Sequence, residues 1–312
     1  MKIMRGMVGG FSRLDRDLDT AMKYAIELQT KHRIEIVCDG DQRGDMISYF
    51  AQDIPGLGVE DGRPLVKGKV TPPEEPEKVK KVSDFFRLKE LFPDLKFKVS
   101  MAGPTTLAMS CGSRKIVGGY RNYVDFSLAE DLTEALKAII KPLTEEHALI
   151  QIDEPFFSQG FRDLGERVSL VDRLLEGCDP EKCSIHVCGF IGRQPLLREL
   201  ARLENLKTLS HAFSIARDRE RENIELLEKS IFEEWDKQLA AGIVSVSPRK
   251  LSEVESPETI CGRLEQIVGK IGAERIAYVT PDCYMRAIDP VLAEAILVNL
   301  DEGAKRFEES SC

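Results

Sequence analysis

The chain has 312 residues, with 53 acidic side chains against 44 Lys and Arg and a formal net charge of −9. An excess of acid argues against a general nucleic-acid binder or an anionic-membrane binder, so a small partner fits better than either. The opening MKIMRGMVGGFSR lacks a secretory apolar run, no stretch approaches a membrane span, and the eight cysteines then read as reduced thiols, so the expected location is cytoplasmic.

Short apolar, β-branched runs bounded by turns occur at 4–10, 34–38, 97–103, 148–155, 184–189, 206–213, 242–247 and 275–281. Helical patterns separate almost every pair. In chain order the clearest are LDTAMKYAIELQTK, SDFFRLKELF, EDLTEALKAIIKPL, VSLVDRLLEG, PLLRELARL, NIELLEKSIFEEWDKQLAAG and PETICGRLEQIVGKIG, with PVLAEAILVNLDEGAKRF after the last strand. Strands alternating with helices, without a linker or composition break, are the pattern of parallel strands joined by helical crossovers. Eight such units predict one (β/α)8 TIM barrel domain over residues 1–312. An open doubly wound sheet is the alternative; against it, no G-x-G-x-x-G follows the first strand and no P-loop occurs.

Insertions are expected at 53–80 and 103–124, after strands two and three. The second carries Arg114, Lys115 and Arg121 beside Gly118 and Gly119; most such runs are only solvated, yet a mobile basic loop over the barrel mouth would suit an anionic donor.

Barrel active sites form where the strands end, and five of the predicted strand ends are rich in chemistry: CDGDQRGD, QIDEP, HVCG, SHAFS and TPDCYM. In CDGDQRGD, Asp45 or a neighbour reads as the N-cap of a helix. His186 and Cys188, two apart on a strand, point the same way. A lone H-x-C on an apolar strand is more often a packed core pair than a ligand pair. Cys283, at another strand end on the same rim, shifts the balance toward a metal, since one His and two Cys make an open three-ligand zinc site. Cys183 lies roughly 16 Å from Cys188 at about 3.3 Å per residue and is excluded. With Cys38, Cys111, Cys178, Cys261 and Cys312 it reads as an ordinary thiol.

Zinc on two thiolates is a good host for a further sulfur, which favours a thiol substrate and S-alkylation. Asp153 could hold the amino group of an amino-acid substrate. The plainer reading is that Pro155 ends the strand and that Asp153 and Glu154 cap the turn after it.

Taken together, VGGF, GDQRGDMISYF, MAGPTT, QIDEP, HVCG and TPDC, in this order, resemble the catalytic barrel of cobalamin-independent methionine synthase, and most closely its short, single-barrel archaeal-type members. The resemblance implies a zinc enzyme that methylates the sulfur of homocysteine to form methionine. By motif, His186, Cys188 and Cys283 would be zinc ligands, Asp153 would bind the substrate amine, and the backbone at Gly9 and Gly10 its carboxylate. Because the second barrel of the long members is missing, the donor would be a methylcorrinoid such as methylcobalamin, often carried by a corrinoid protein, or a methylated pterin.

The chain departs from the family pattern at three places. Ala212 stands where the family has a glutamate ligand, with His211 beside it facing the other way. SVSP, with Ser247, replaces a histidine motif. Gly10 replaces a serine. These departures keep two other readings open: a coenzyme M-type or other thiol methyltransferase, and a barrel that binds a thiol or corrinoid protein without turnover. A metal hydrolase would need a water-activating carboxylate, for which Asp153 and Asp282 are the only candidates.

Overall fold

A computed structural model of the chain describes residues 2–215 and 219–310; Cys312 lies outside them. Eight parallel strands form the barrel: β1 (Met4–Arg5), β2 (Ile36–Val37), β5 (Lys96–Ala102), β6 (Leu149–Asp153), β7 (Cys183–Val187), β8 (Thr208–Ala212), β9 (Gln238–Val244) and β10 (Ile276–Pro281). Their order around the sheet is β1-β10-β9-β8-β7-β6-β5-β2. A parallel bridge between Gly6 and Ile36, with the Met7 N–H donating to the Ile36 carbonyl at 3.2 Å, joins β2 back to β1 and completes the ring.

All eight predicted strands are present, with one shift. The sixth helical pattern, NIELLEKSIFEEWDKQLAAG, divides into the end of a 3-10 helix (Glu220–Leu226), a short α-helix (Lys229–Glu234) and β9, which begins at Gln238. The residues QLAA favour a helix intrinsically, but Asp236 adopts a left-handed φ of 48° and breaks the run. The small, buried residues that follow then fill a strand of the barrel wall.

The first insertion holds a hairpin, β3 (Leu57–Glu60) and β4 (Arg63–Val66), that the sequence reading missed. Its turn is Asp61-Gly62, both at positive φ, the signature of a two-residue hairpin turn. The 103–124 segment begins with a helix, Pro104–Gly112, and then docks on this hairpin through Val66 and residues 115–117. Arg114 donates to the Glu60 and Arg63 carbonyls and pairs with Asp61 at 3.1 Å, and Arg121 pairs with Asp125 at 3.2 Å. The expected mobile basic loop is therefore a fastened segment whose Arg114 and Arg121 are matched by acid.

The main apolar core lies between the strands and the surrounding helices. The helix Phe126–Glu145 shows why: Leu128, Leu132, Leu136, Ile139 and Leu143 recur at helical spacing on one face and are fully buried. Each contributes up to about 1.5–3 kcal/mol of burial. The barrel interior is different. Ile36, Ala240 and Tyr278 form a small apolar layer at its base. Above it the buried Lys98 ammonium donates to the Met7 carbonyl and the Gln151 side-chain oxygen. From Gln151 the hydrogen bonds continue upward to Asp153 at the strand end, while the buried Ser100 and Thr280 hydroxyls have no side-chain or backbone partner among the described residues. Among the described residues no helix is long and apolar enough to cross a membrane.

Candidate metal centre

Parallel pairing places neighbouring strand ends in register: Asp153 beside His186, and His186 beside Ser210. All three face the barrel interior. The His186 Nδ1 is 3.0 Å from the Ser210 hydroxyl oxygen. With Nδ1–H donating to that oxygen, the lone pair of Nε2 points into the mouth, where this buried atom has no hydrogen-bond partner. The Cys188 and Cys283 sulfurs meet it there. The three ligand atoms lie within 4.8 Å of one another.

A buried imidazole nitrogen left without a partner, next to two thiols, is costly unless something fills the space between them. One nitrogen and two soft sulfurs suit zinc better than magnesium or calcium. The residues present thus fit a zinc ion. They supply three ligands and no carboxylate, because Ala212, fully buried, occupies the position that faces the cluster from β8. His211 points away. Its Nδ1 bonds the Val187 carbonyl at 3.1 Å, and burial pushes its pKa down to about 4. Ser247 is exposed, and its N–H bonds Ser245.

The adjacent acids Asp153 and Glu154 divide between two faces. Asp153 is buried at the mouth, accepting from the Gln151 amide at 2.7 Å and from the Tyr284 hydroxyl at 2.6 Å, and burial pushes its pKa up. Glu154 turns outward and caps the helix Pro104–Gly112 by accepting from Thr105 N, Thr106 N and the Thr106 hydroxyl at 2.9, 2.8 and 2.6 Å. Glu154 is therefore a capping residue, but of this remote helix and not, as expected, of the turn that follows it, to which its side chain makes no capping bond. Asp282 behaves like Glu154. It accepts from Phe213 N, Ser214 N, Ile215 N and the Ser214 hydroxyl, holding the loop after β8, and so is not free to activate water.

Gly9 and Gly10 sit against the same mouth. A Cβ at Gly9 would come within 2.1–2.6 Å of the Tyr284 ring, and one at Gly10 within 2.6 Å of Asp41 Cβ and 2.9 Å of the Gly40 carbonyl. Backbone contact on that side gives a physical reason for glycine where the motif has serine. The acids of CDGDQRGD are largely committed to structure. Lys81, fully buried, bridges Asp39 and Asp41 at 2.6–3.0 Å, Arg43 pairs with Asp84 at 2.6 Å, and Asp45 caps the turn at Ile47 and Ser48.

Sequence reasoning missed Ser210, Gln151 and Tyr284. The strand period could have found Ser210, since it lies two residues before the inward-facing Ala212. No local signal marks Tyr284, whose partner is remote in sequence.

A profile of the family described as the catalytic domain of cobalamin-independent synthase matches residues 9–306. The methionine synthase of Methanothermobacter thermautotrophicus is 30% identical over 286 residues, covering 90% of this chain and 87% of that one. That of Methanocaldococcus jannaschii is 28% identical, covering 91% and 88%. Among solved structures, a B12-independent methionine synthase from Shewanella in complex with selenomethionine superposes with a TM-score of 0.79 at 17% identity, over 100% of this chain and 99% of that one, which supports the barrel fold. The family's cobalamin independence runs against the expected methylcorrinoid donor and corrinoid-protein partner, and neither is retained.

Proposed function

The chain belongs to the catalytic-domain family of the cobalamin-independent synthases, and from that premise we propose that it transfers a methyl group from a methylated pterin to the sulfur of homocysteine, forming methionine. The observation that carries this reading is the convergence of His186 Nε2 and the Cys188 and Cys283 sulfurs at the mouth. These residues would hold zinc. When bound there, zinc would favour the thiolate form of the acceptor at neutral pH.

The rest of the proposal concerns the chain's own side chains. Ser210 fixes the imidazole of His186 so that Nε2 faces the ligand position. Asp153 takes the acceptor's ammonium, oriented from below by Gln151, which also bonds the Val8 carbonyl. Gly9 and Gly10 present backbone to the acceptor's carboxylate end. Methyl transfer between two held groups needs mainly alignment, so these fixed contacts supply much of what the reaction asks of the protein.

The three-ligand set carries one negative charge fewer than a set with a carboxylate. A bound thiol would then be more acidic and less nucleophilic than on a centre with a carboxylate ligand. The test is elemental analysis of the purified chain, followed by assay of methionine formation from homocysteine with a methyltetrahydropterin and, separately, with methylcobalamin. Near-stoichiometric zinc with turnover on the pterin is expected. A carefully prepared chain without zinc would sink the proposal, as would turnover on methylcobalamin alone.

A further inference from the structure

Resting on the reading of Asp153 as the ammonium site, we propose that Tyr284 is a specificity-determining side chain that occupies the acceptor's amino-acid pocket and is displaced by an α-amino-acid thiol when it binds. Its hydroxyl donates to Asp153 Oδ2 at 2.6 Å, while Oδ1 is already taken by Gln151 at 2.7 Å. Both oxygens of this buried carboxylate are therefore engaged, and the phenol holds the one that an incoming ammonium would use. The Tyr284 ring also lies on Gly9, where even a single added carbon would meet it at 2.1 Å. One side chain thus covers both the amine end and the carboxylate end of the pocket.

A second observation points to a cation at this place. Asp41, packed against Gly10, has one oxygen bonded to Lys81, while its Oδ2 is buried and without a partner. Asp41 is close enough that its charge acts on both Asp153 and Tyr284. A neutral phenol satisfies Asp153 Oδ2 and leaves Asp41 Oδ2 unmet. An ammonium has three donors and a positive charge, so it can replace the phenol on Asp153 and also answer the negative charge of Asp41. Tyr284 is half-buried at the rim, next to Cys283, so it can swing outward without disturbing the strand. Every amino-acid thiol must first break the phenol–Asp153 bond, whereas a thiol lacking both the amine and the carboxylate need not. Tyr284 therefore sets how strongly the site favours homocysteine over simpler thiols.

The test compares L-homocysteine with 1-propanethiol, a thiol of similar length with neither amine nor carboxylate, by calorimetry on zinc-loaded wild type and Tyr284→Phe. Phe keeps the ring on Gly9 and removes only the competing hydroxyl. The ratio of the 1-propanethiol Kd to the homocysteine Kd should rise about tenfold in the variant, the size of one charge-assisted hydrogen bond. A ratio that is unchanged or lower would overturn the assignment, because Tyr284 would then be supporting Asp153 and not competing for it. Binding needs no methyl donor. A raised ratio in a protein that fails to turn over would therefore fault the methyl-transfer reading and leave Tyr284 in its assigned role.

Discussion

The barrel mouth and the shell of loops just outside it are built from neighbouring residues, yet they treat polar atoms in opposite ways. In the mouth, His186 Nε2 is buried without a partner and the Cys188 and Cys283 sulfurs converge on it. In the shell, Asp282 and Glu154, each next in sequence to a mouth residue, are filled with hydrogen-bond donors from the 213–215 loop and from a helix start. Unmet valence in the mouth is available to a ligand, while satisfied valence in the shell holds the mouth in shape. Substitutions in the first should change affinity with little effect on stability, and substitutions in the second should do the reverse.

The sharpest way to break this contrast is Cys283→Ser. Zinc affinity should fall on the order of a thousandfold, read by chelator competition, with the melting temperature of the metal-free protein nearly unchanged. A variant that keeps full zinc would remove Cys283 from the centre. Asp282→Ala, one residue away, should instead destabilise the fold by about 3 kcal/mol in urea unfolding, because several buried donors lose their acceptor together. If it cost nothing, the shell would not be supporting the 213–215 loop.

Ser210→Ala tests the boundary between the two regions. Losing the partner of His186 Nδ1 should weaken zinc binding by roughly 10–100-fold while leaving a folded chain, so a loss of stability without a loss of zinc would move Ser210 into the shell. The smallest effect concerns pH. Burial pushes the Glu154 pKa up to about 7 from its usual 4.5. The folded chain therefore holds this proton more tightly than the unfolded chain does. Relative to Glu154→Gln, wild-type stability should fall as pH rises from about 4.5 to 7 and level off above that. Parallel pH profiles for the two proteins would contradict it.

How much was legible beforehand follows the range of each interaction. The alternation of β and α patterns is local, so the barrel could be read along the chain, and the helix Leu18–Lys31 coincides with its predicted segment. Errors arose where local preference and tertiary packing disagreed, as at Gln238–Ala241, whose helix-favouring residues lie in a barrel strand. The hairpin turn at Asp61-Gly62 has a local signal, but the surrounding glycine, proline and charge mask the short strands on either side of it.

Local chain geometry alone dictates which residues share a face. The two-residue period of a strand puts His186 with Cys188 and turns Asp153 away from Glu154, whatever surrounds them. Only closure of the barrel decided which of those faces meet. It brought Cys283 from the last strand to His186, set the Tyr284 hydroxyl on Asp153, and left Ala212 where a further ligand would have pointed. Contacts between residues so far apart in sequence leave no periodic trace in it, because they depend on how the strands are registered around the ring.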